Sequence, residues 1–281
     1  MSDARDVDRE RPWLVTLRRI AAGIIDAVAA LARPSRLYPR EPWGLTPQRF
    51  AIAAGLAVVL IVLVMIVADA DAINAVQRLP GAVIWPFGQI TDFGKSGWFL
   101  WPLGVLFLIL AALPASTRMA QRVLATIMVR VGFLLLAIGV PGLLVTIVKR
   151  MIGRARPLVT GVVDPFVYVP FKWASAYASL PSGHATTAFS VLVAFGALWP
   201  RARPALWVYA LAIVVSRVVL TAHFPSDVLA GAIAGSIGAL MVRRYFALRR
   251  LGFSVLPDGT VRAYPGPSFK RIKAVARALL S

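Results

Sequence analysis

The sequence predicts an all-α, polytopic membrane protein, a bundle of six transmembrane helices flanked by basic segments. Three observations carry that expectation. Of 281 residues, 59% are hydrophobic and only 15% are charged, too apolar for a soluble domain of this length. Six apolar runs approach the ~20 residues that cross a hydrocarbon core of ~30 Å. The 31 Lys and Arg residues fall between and beyond those runs rather than on one soluble face.

In chain order, residues 1–49 are a mixed-charge segment in which Leu14, Leu17, Ile20, Ile24, Val28 and Leu31 recur at helical spacing, with Arg18 and Arg19 in the polar part. The pattern predicts an amphipathic helix lying on the membrane surface. Because about fifty residues precede the first long apolar run, no cleavable signal peptide is expected.

The spanning domain, 50–242, comprises Phe50–Ala68, Trp98–Leu113, Val131–Val148, His184–Trp199, Pro204–Leu220 and Val228–Val242. Several runs are short and must borrow flanking residues or sit in thinner bilayer. Pro141 is expected to kink the third span. Gly231, Gly235 and Gly238 give the sixth a small-residue face for close helix packing. Residues 243–281 form a basic tail. There "FSVLPDGTVRAY" predicts a hairpin around Pro257-Asp258-Gly259, and "SFKRIKAVARALL" a second surface helix.

Six spans put both termini on one side of the membrane. With the termini cytoplasmic, the inside segments hold 23 of the 31 basic residues and the outside segments seven, while Arg217 lies within the fifth span. The expectation is an inner-membrane protein with cytoplasmic termini and a periplasmic or extracytoplasmic outer face.

Composition also narrows the chemistry. The net charge of +19 suggests a membrane surface rather than nucleic acid, because the charge is distributed around spans. The absence of Cys excludes disulfides, thiolate nucleophiles and cysteine-ligated zinc. With only His184 and His223, the supply of metal ligands is poor and no metal site is expected.

Three stretches end on the outer face. "KRMIGRARP" at 149–157 puts basic residues where they should be scarce, so it needs a reason other than anchoring. Lys149 and Arg156 are seven apart, about two helical turns, and can project from one helix face toward one anion, with Pro157 ending that helix. In "PSGH" at 181–184, Ser182 is a natural N-cap and the following amides form an anion site with His184 in the first turn. In "SRVVLTAHFPSD" at 216–227, Arg217 is an ionisable residue inside a span. Asp227 follows His223 at a spacing that lets its carboxylate take one ring proton and leave the other nitrogen free to attack.

Each feature alone has a plainer reading: a snorkelling cation, a helix start, a satisfied cap. Arg150 and Arg154 keep that plainer reading, with no more than local attraction for an anionic headgroup. "GQITDFGKS" at 88–96 is not a P-loop, since five residues separate Gly88 from Gly94 and no strand precedes it. It predicts a short outer loop near the site's rim, where Asp92 and Lys95 can touch a headgroup.

Taken together, the three stretches resemble the signature of the type 2 phosphatidic acid phosphatase family, K-x6-RP, PSGH and SR-x5-H-x3-D. They occur in order with 23 and 31 residues between them. Eleven fixed identities make a chance match on the order of 10⁻¹⁴ per placement. The resemblance implies a phosphatase core within the helical bundle and a metal-independent, cofactor-free phosphohydrolase working through a phosphohistidine. His223 would be the nucleophile, Asp227 its orienting partner and His184 the acid for the leaving oxygen. Lys149, Arg156, Arg217 and the Ser182 and Gly183 region would clamp the phosphoryl oxygens.

The expected partner is a lipid phosphate held in the bilayer: a polyprenyl diphosphate such as undecaprenyl diphosphate, phosphatidylglycerol phosphate, phosphatidate, or a phosphate of lipid A. A lipid phosphotransferase using the same intermediate, and a non-catalytic lipid-binding scaffold, are the alternatives. The motifs do not separate the substrates, and the sequence sets no oligomeric state.

Overall fold

The computed structural model describes residues 11–35, 46–115 and 117–280. Parts of the expected 1–49 segment, residues 1–10 and 36–45, therefore lie outside the described residues. The rest is almost wholly helical: α1 (Pro12–Ala32), α2 (Pro47–Val67), α3 (Asp69–Val76), α4 (Gly81–Thr91), α5 (Gly97–Ala112), α6 (Arg118–Ile152), α7 (Gly183–Leu198), α8 (Arg203–Val219), α9 (Pro225–Leu248) and α10 (Phe269–Leu280).

Among the described residues, five segments are long and apolar enough to cross a membrane: Pro47–Val67, Gly81–Ala112, Arg118–Ile152, Pro200–Val219 and Pro225–Leu248. The chain is a multi-span membrane protein. The expected count of six is not reproduced by this measure, because α7, at His184–Trp199 in the sequence reading, has only 16 residues. Its surroundings account for the shortness. α7 packs along α9 and also contacts α6 and α8, and most of its length is buried, through Ala185, Thr186, Thr187, Ala188, Ser190, Val191, Leu192, Ala194, Gly196 and Ala197. A helix wrapped by others needs no long lipid-facing surface.

The second expected span is also longer in fact. Gly81–Ala112 combines α4, a 3-10 turn at Asp92–Gly94 and α5. α2 shows the opposite exposure to α7. Only Met65 is buried, while Leu56, Val59, Leu63 and Ile66 each leave more than half their surface open. Such an apolar face is stable in hydrocarbon, where the helix satisfies its own backbone hydrogen bonds.

The sixth run's glycines decide how closely the bundle packs. A Cβ on Gly231 would lie 2.4 Å from Ser182 O, and one on Gly235 2.3 Å from Thr186 O. Those two positions let α9 and α7 approach backbone to backbone. Gly238 faces α6 instead, where a Cβ would meet Pro141 Cγ at 2.5 Å.

At the far end, the expected hairpin forms as β1 (Phe253–Val255) against β2 (Val261–Ala263). Its turn uses Gly259 at φ 82 and Asp258 Oδ1, which accepts from Thr260 N at 2.9 Å. Phe253 packs on Phe133 at 4.7 Å between ring centroids, and Phe133 on Phe246 at 5.5 Å, which pins the hairpin to α6 and α9. α1 is tied to the same end, since Tyr245 Oη and Arg249 Nε both donate to Leu31 O.

Candidate active site

Lys149 lies in the last turn of α6, but that helix does not continue to Pro157 as expected. Gly153 takes the left-handed conformation (φ 67, ψ 31) and its N–H bonds Lys149 O at 3.1 Å. A Cβ there would come within 1.9 Å of Val169 O, so only glycine fits. Beyond it the chain runs extended. Ala155 N donates to Val167 O, and Arg156 N donates to Ala176 O at 2.8 Å. Arg156 therefore approaches from an extended segment, not from the helix face that carries Lys149.

Arg154 overturns its plain reading. It is fully buried (0% exposed) at the junction of three segments far apart in sequence. Its Nη1 donates to Asp227 Oδ1 (2.6 Å) and Ser226 Oγ (2.8 Å), its Nη2 to Asp69 Oδ2 (2.8 Å), and its Nε to Pro165 O (2.9 Å). The guanidinium also stacks over Phe224 at 4.6 Å. Such a cation anchors structure and has no surface left for a headgroup. Burial alone would lower its pKa, but Asp227 and Asp69 raise it overall. Burial likewise pushes the Asp69 carboxyl up, against the bonds from Ser226 and Arg154. Arg150, by contrast, lies half-buried over Trp173, 5.3 Å from the ring centroid.

The histidine and carboxylate meet through an intermediary. His223 sits in the short connection between α8 and α9, 2% exposed. Its Nδ1 is 3.7 Å from Asp227 Oδ2, too long for a direct hydrogen bond. Ser179 Oγ lies 3.4 Å from that Nδ1 and donates to the same Oδ2 at 2.5 Å. Asp227 Oδ2 also accepts Phe224 N at 2.9 Å, which caps α9 and fixes the carboxylate. With Nδ1 turned to Ser179 and Asp227, the other ring nitrogen, Nε2, is left for chemistry. Burial lowers the His223 pKa, and Asp227 only partly opposes it, so the ring is neutral near pH 7.

The start of α7 is held beside this pair, because Ser182 N donates to Asp227 O at 2.9 Å. Ser182 occupies the N-cap position, but its hydroxyl does not cap the helix as expected. Among the described residues, six buried side-chain polar atoms lack a hydrogen-bond partner. Four of them belong to residues singled out by sequence: Arg156 Nε, Ser182 Oγ, His184 Nε2 and Arg217 Nε. Lys149 Nζ lies 3.9 Å from where a Cβ on Gly183 would stand. Arg156 is within electrostatic reach of Lys149, His184, Arg217 and His223. Unpartnered buried donors are costly, and an anion meets the need of several at once.

The "GQITDFGKS" stretch borders this cluster but is not the expected loop: the helix α4 runs on through Thr91 and a 3-10 turn follows at Asp92–Gly94. Thr91 Oγ1 accepts from Arg217 Nη1 at 2.6 Å. A Cβ on Gly94 would stand 2.9 Å from His184 Cδ2, so this turn backs the histidine. Asp92 and Lys95 pair with each other at 2.8 Å and are more than half exposed. Sequence reasoning missed Asp69, Thr91, Arg154 and Ser179. Only Asp69 carried a signal, a carboxylate directly after an apolar run.

No three His, Cys, Asp or Glu side chains are grouped to hold a metal ion among the described residues. A cavity of about 480 Å³ lies elsewhere, among α1, α5 and α6, and contains none of the predicted site residues.

Comparison with known proteins agrees with the motif. Residues 130–251 match the PAP2 superfamily. A lipid A 1-phosphatase of Rhizobium johnstonii is 32% identical over 226 residues, covering 80% of this chain and 92% of that protein. One of Rhizobium etli is 33% identical over 215 residues, covering 76% and 92%. Among solved structures, Aquifex aeolicus LpxE aligns with 62% of this chain and 93% of its own at 22% identity and a TM-score of 0.46.

Proposed function

Since this chain belongs to the PAP2 superfamily, we propose that it is an integral membrane lipid phosphatase that removes the 1-phosphate of a lipid A type substrate. The activity named for relatives that share about a third of its sequence over most of its length supports that choice of substrate. The single observation that carries the chemistry is the convergence of unpartnered buried atoms of Arg156, Ser182, His184 and Arg217 beside a buried histidine.

In this mechanism Lys149, Arg156, Arg217 and the first amides of α7 at Gly183 bind the phosphoryl oxygens. They neutralise charge that increases toward the transition state, which is the main demand of phosphoryl transfer. His223 Nε2 attacks phosphorus in line, breaking the P–O bond to the lipid and forming a phosphohistidine. Ser179 and Asp227 hold the Nδ1 proton and stabilise the charge that the ring acquires. His184 gives a proton to the leaving oxygen and then takes one from the water that cleaves the phosphohistidine. Fixed cations do the work a divalent metal does in other phosphoryl enzymes, so the reaction is metal-independent.

The domain reading is 50–242 as the catalytic unit, 1–49 as a cytoplasmic segment with a surface helix, and 243–281 as a cytoplasmic tail. α7 is its sixth, internal crossing. The asymmetry of Lys and Arg supports an inner-membrane location, with the catalytic end on the periplasmic face and both termini inside.

The test is phosphate release from lipid A by the purified protein in excess chelator, with phosphatidate, phosphatidylglycerol phosphate and undecaprenyl diphosphate as competitors. Loss of the 1-phosphate, with an acid-labile phosphoprotein that His223→Ala abolishes, is the expected result. Preferred hydrolysis of a competitor refutes the substrate, and activity that only Mg²⁺ restores refutes the mechanism.

A further inference from the structure

The end of the bundle opposite His223 carries a second cationic pocket. Arg203 begins α8, and Arg243 lies about 24 Å farther along α9 than Asp227 at 1.5 Å per residue. A cavity of about 220 Å³ here is walled by Phe189, Leu192, Trp207 and Leu240 and topped by Arg203 and Arg243. No Asp or Glu lines it. Arg203 Nε is engaged with Gly196 O at 3.0 Å, whereas Arg243 Nε is buried with no partner among the described residues. Trp199 and Trp207, each 49% exposed, flank the same end, as aromatic side chains do at headgroup level.

We infer that this pocket binds the phosphate of an anionic glycerophospholipid in the leaflet at that end, with an acyl chain along Phe189, Leu192 and Leu240. Two neighbouring guanidinium groups without a carboxylate repel each other, and a phosphate diester relieves both. The apolar wall favours a lipid over free phosphate, because only a lipid brings a chain that gains from it. The separation of about 24 Å makes this a site distinct from the catalytic cluster, so it stands whether or not the proposed substrate is right.

The test is photo-crosslinking in phosphatidylcholine nanodiscs containing a photoactivatable phosphatidylglycerol, with labelled peptides mapped by mass spectrometry. Labelling is expected on the end of α7 and the last turns of α9, competed by unlabelled phosphatidylglycerol and not by inorganic phosphate. Arg243→Gln should reduce it about fivefold, while Arg262→Gln, on the exposed face of the hairpin, leaves it unchanged. Equal labelling by a phosphatidylcholine probe, or undiminished labelling of Arg243→Gln, overturns the site. Should Arg243→Gln fail to elute as the wild type does, Leu240→Trp serves instead. By filling the groove it should lower the labelling, and unchanged labelling again overturns the site.

Discussion

Replacing Arg154 by Ala tests whether the buried network holds the site together. The substitution removes four hydrogen bonds, to Asp69, Asp227, Ser226 and Pro165. It also leaves two fully buried carboxylates without their shared counter-charge. Breaking a buried ion pair from one side costs about 3–5 kcal/mol, more than a hundredfold in the ratio of folded to unfolded protein. The surviving carboxylates then compete for a proton. An Asp227 that is protonated, or no longer held by the guanidinium, cannot fix Ser179 and the His223 ring.

The assay is thermal unfolding in detergent together with phosphate release per folded molecule. Arg154→Ala should lose both, and Arg154→Lys should recover part of the stability but little activity, since an ammonium cannot bridge two carboxylates and a carbonyl as a planar fork does. Arg150→Ala is the matched control and should change stability by about 0.5 kcal/mol or less. An Arg154→Ala protein that melts and turns over as the wild type does would refute the reasoning.

The remaining predictions concern pH, packing and topology. Burial holds His223 below its ordinary value of 6.5, so the acid limb of kcat/KM should lie below pH 6.5. The same depression means that this group's contribution to stability is present above 6.5 and is lost as pH falls through the folded pKa. Asp227 opposes the depression, so Asp227→Asn should shift the acid limb further down as it lowers the rate; an upward shift in the rate profile would contradict the assignment. Gly235→Leu should abolish folded yield, because even a Cβ would stand 2.3 Å from Thr186 O; normal elution from size-exclusion chromatography would disprove the close approach. The chain has no Cys, so Val162→Cys, at a position 63% exposed, is a clean probe of orientation. It should react with an impermeant thiol reagent in spheroplasts without lysis, and labelling only after lysis would reverse the proposed topology.

Much of the candidate site was legible in the sequence because its motifs consist of residues close together in the chain. The spans show as apolar runs, and their charge asymmetry suggests an orientation. Pro257-Asp258-Gly259 encodes its own turn, and the three short motifs name both histidines and three of the cations. What the sequence could not convey is how separate motifs meet. Arg154 and Arg150 are alike as letters, and only the fold buries one against carboxylates 85 and 73 positions away while leaving the other near the surface. Ser179 becomes the link between His223 and Asp227 because the loop after α6 folds back over α9, a long-range contact with no local periodicity to announce it. The end of α6 was misread for a related reason, since Gly153 is compelled to be glycine by Val169, which reaches it only in the folded chain. Composition and local pattern thus determined the membrane, the helices and the candidate site residues. Tertiary packing through Gly231, Gly235 and Gly153 decided which of those residues touch, because side-chain proximity depends on backbone approach that no single segment encodes.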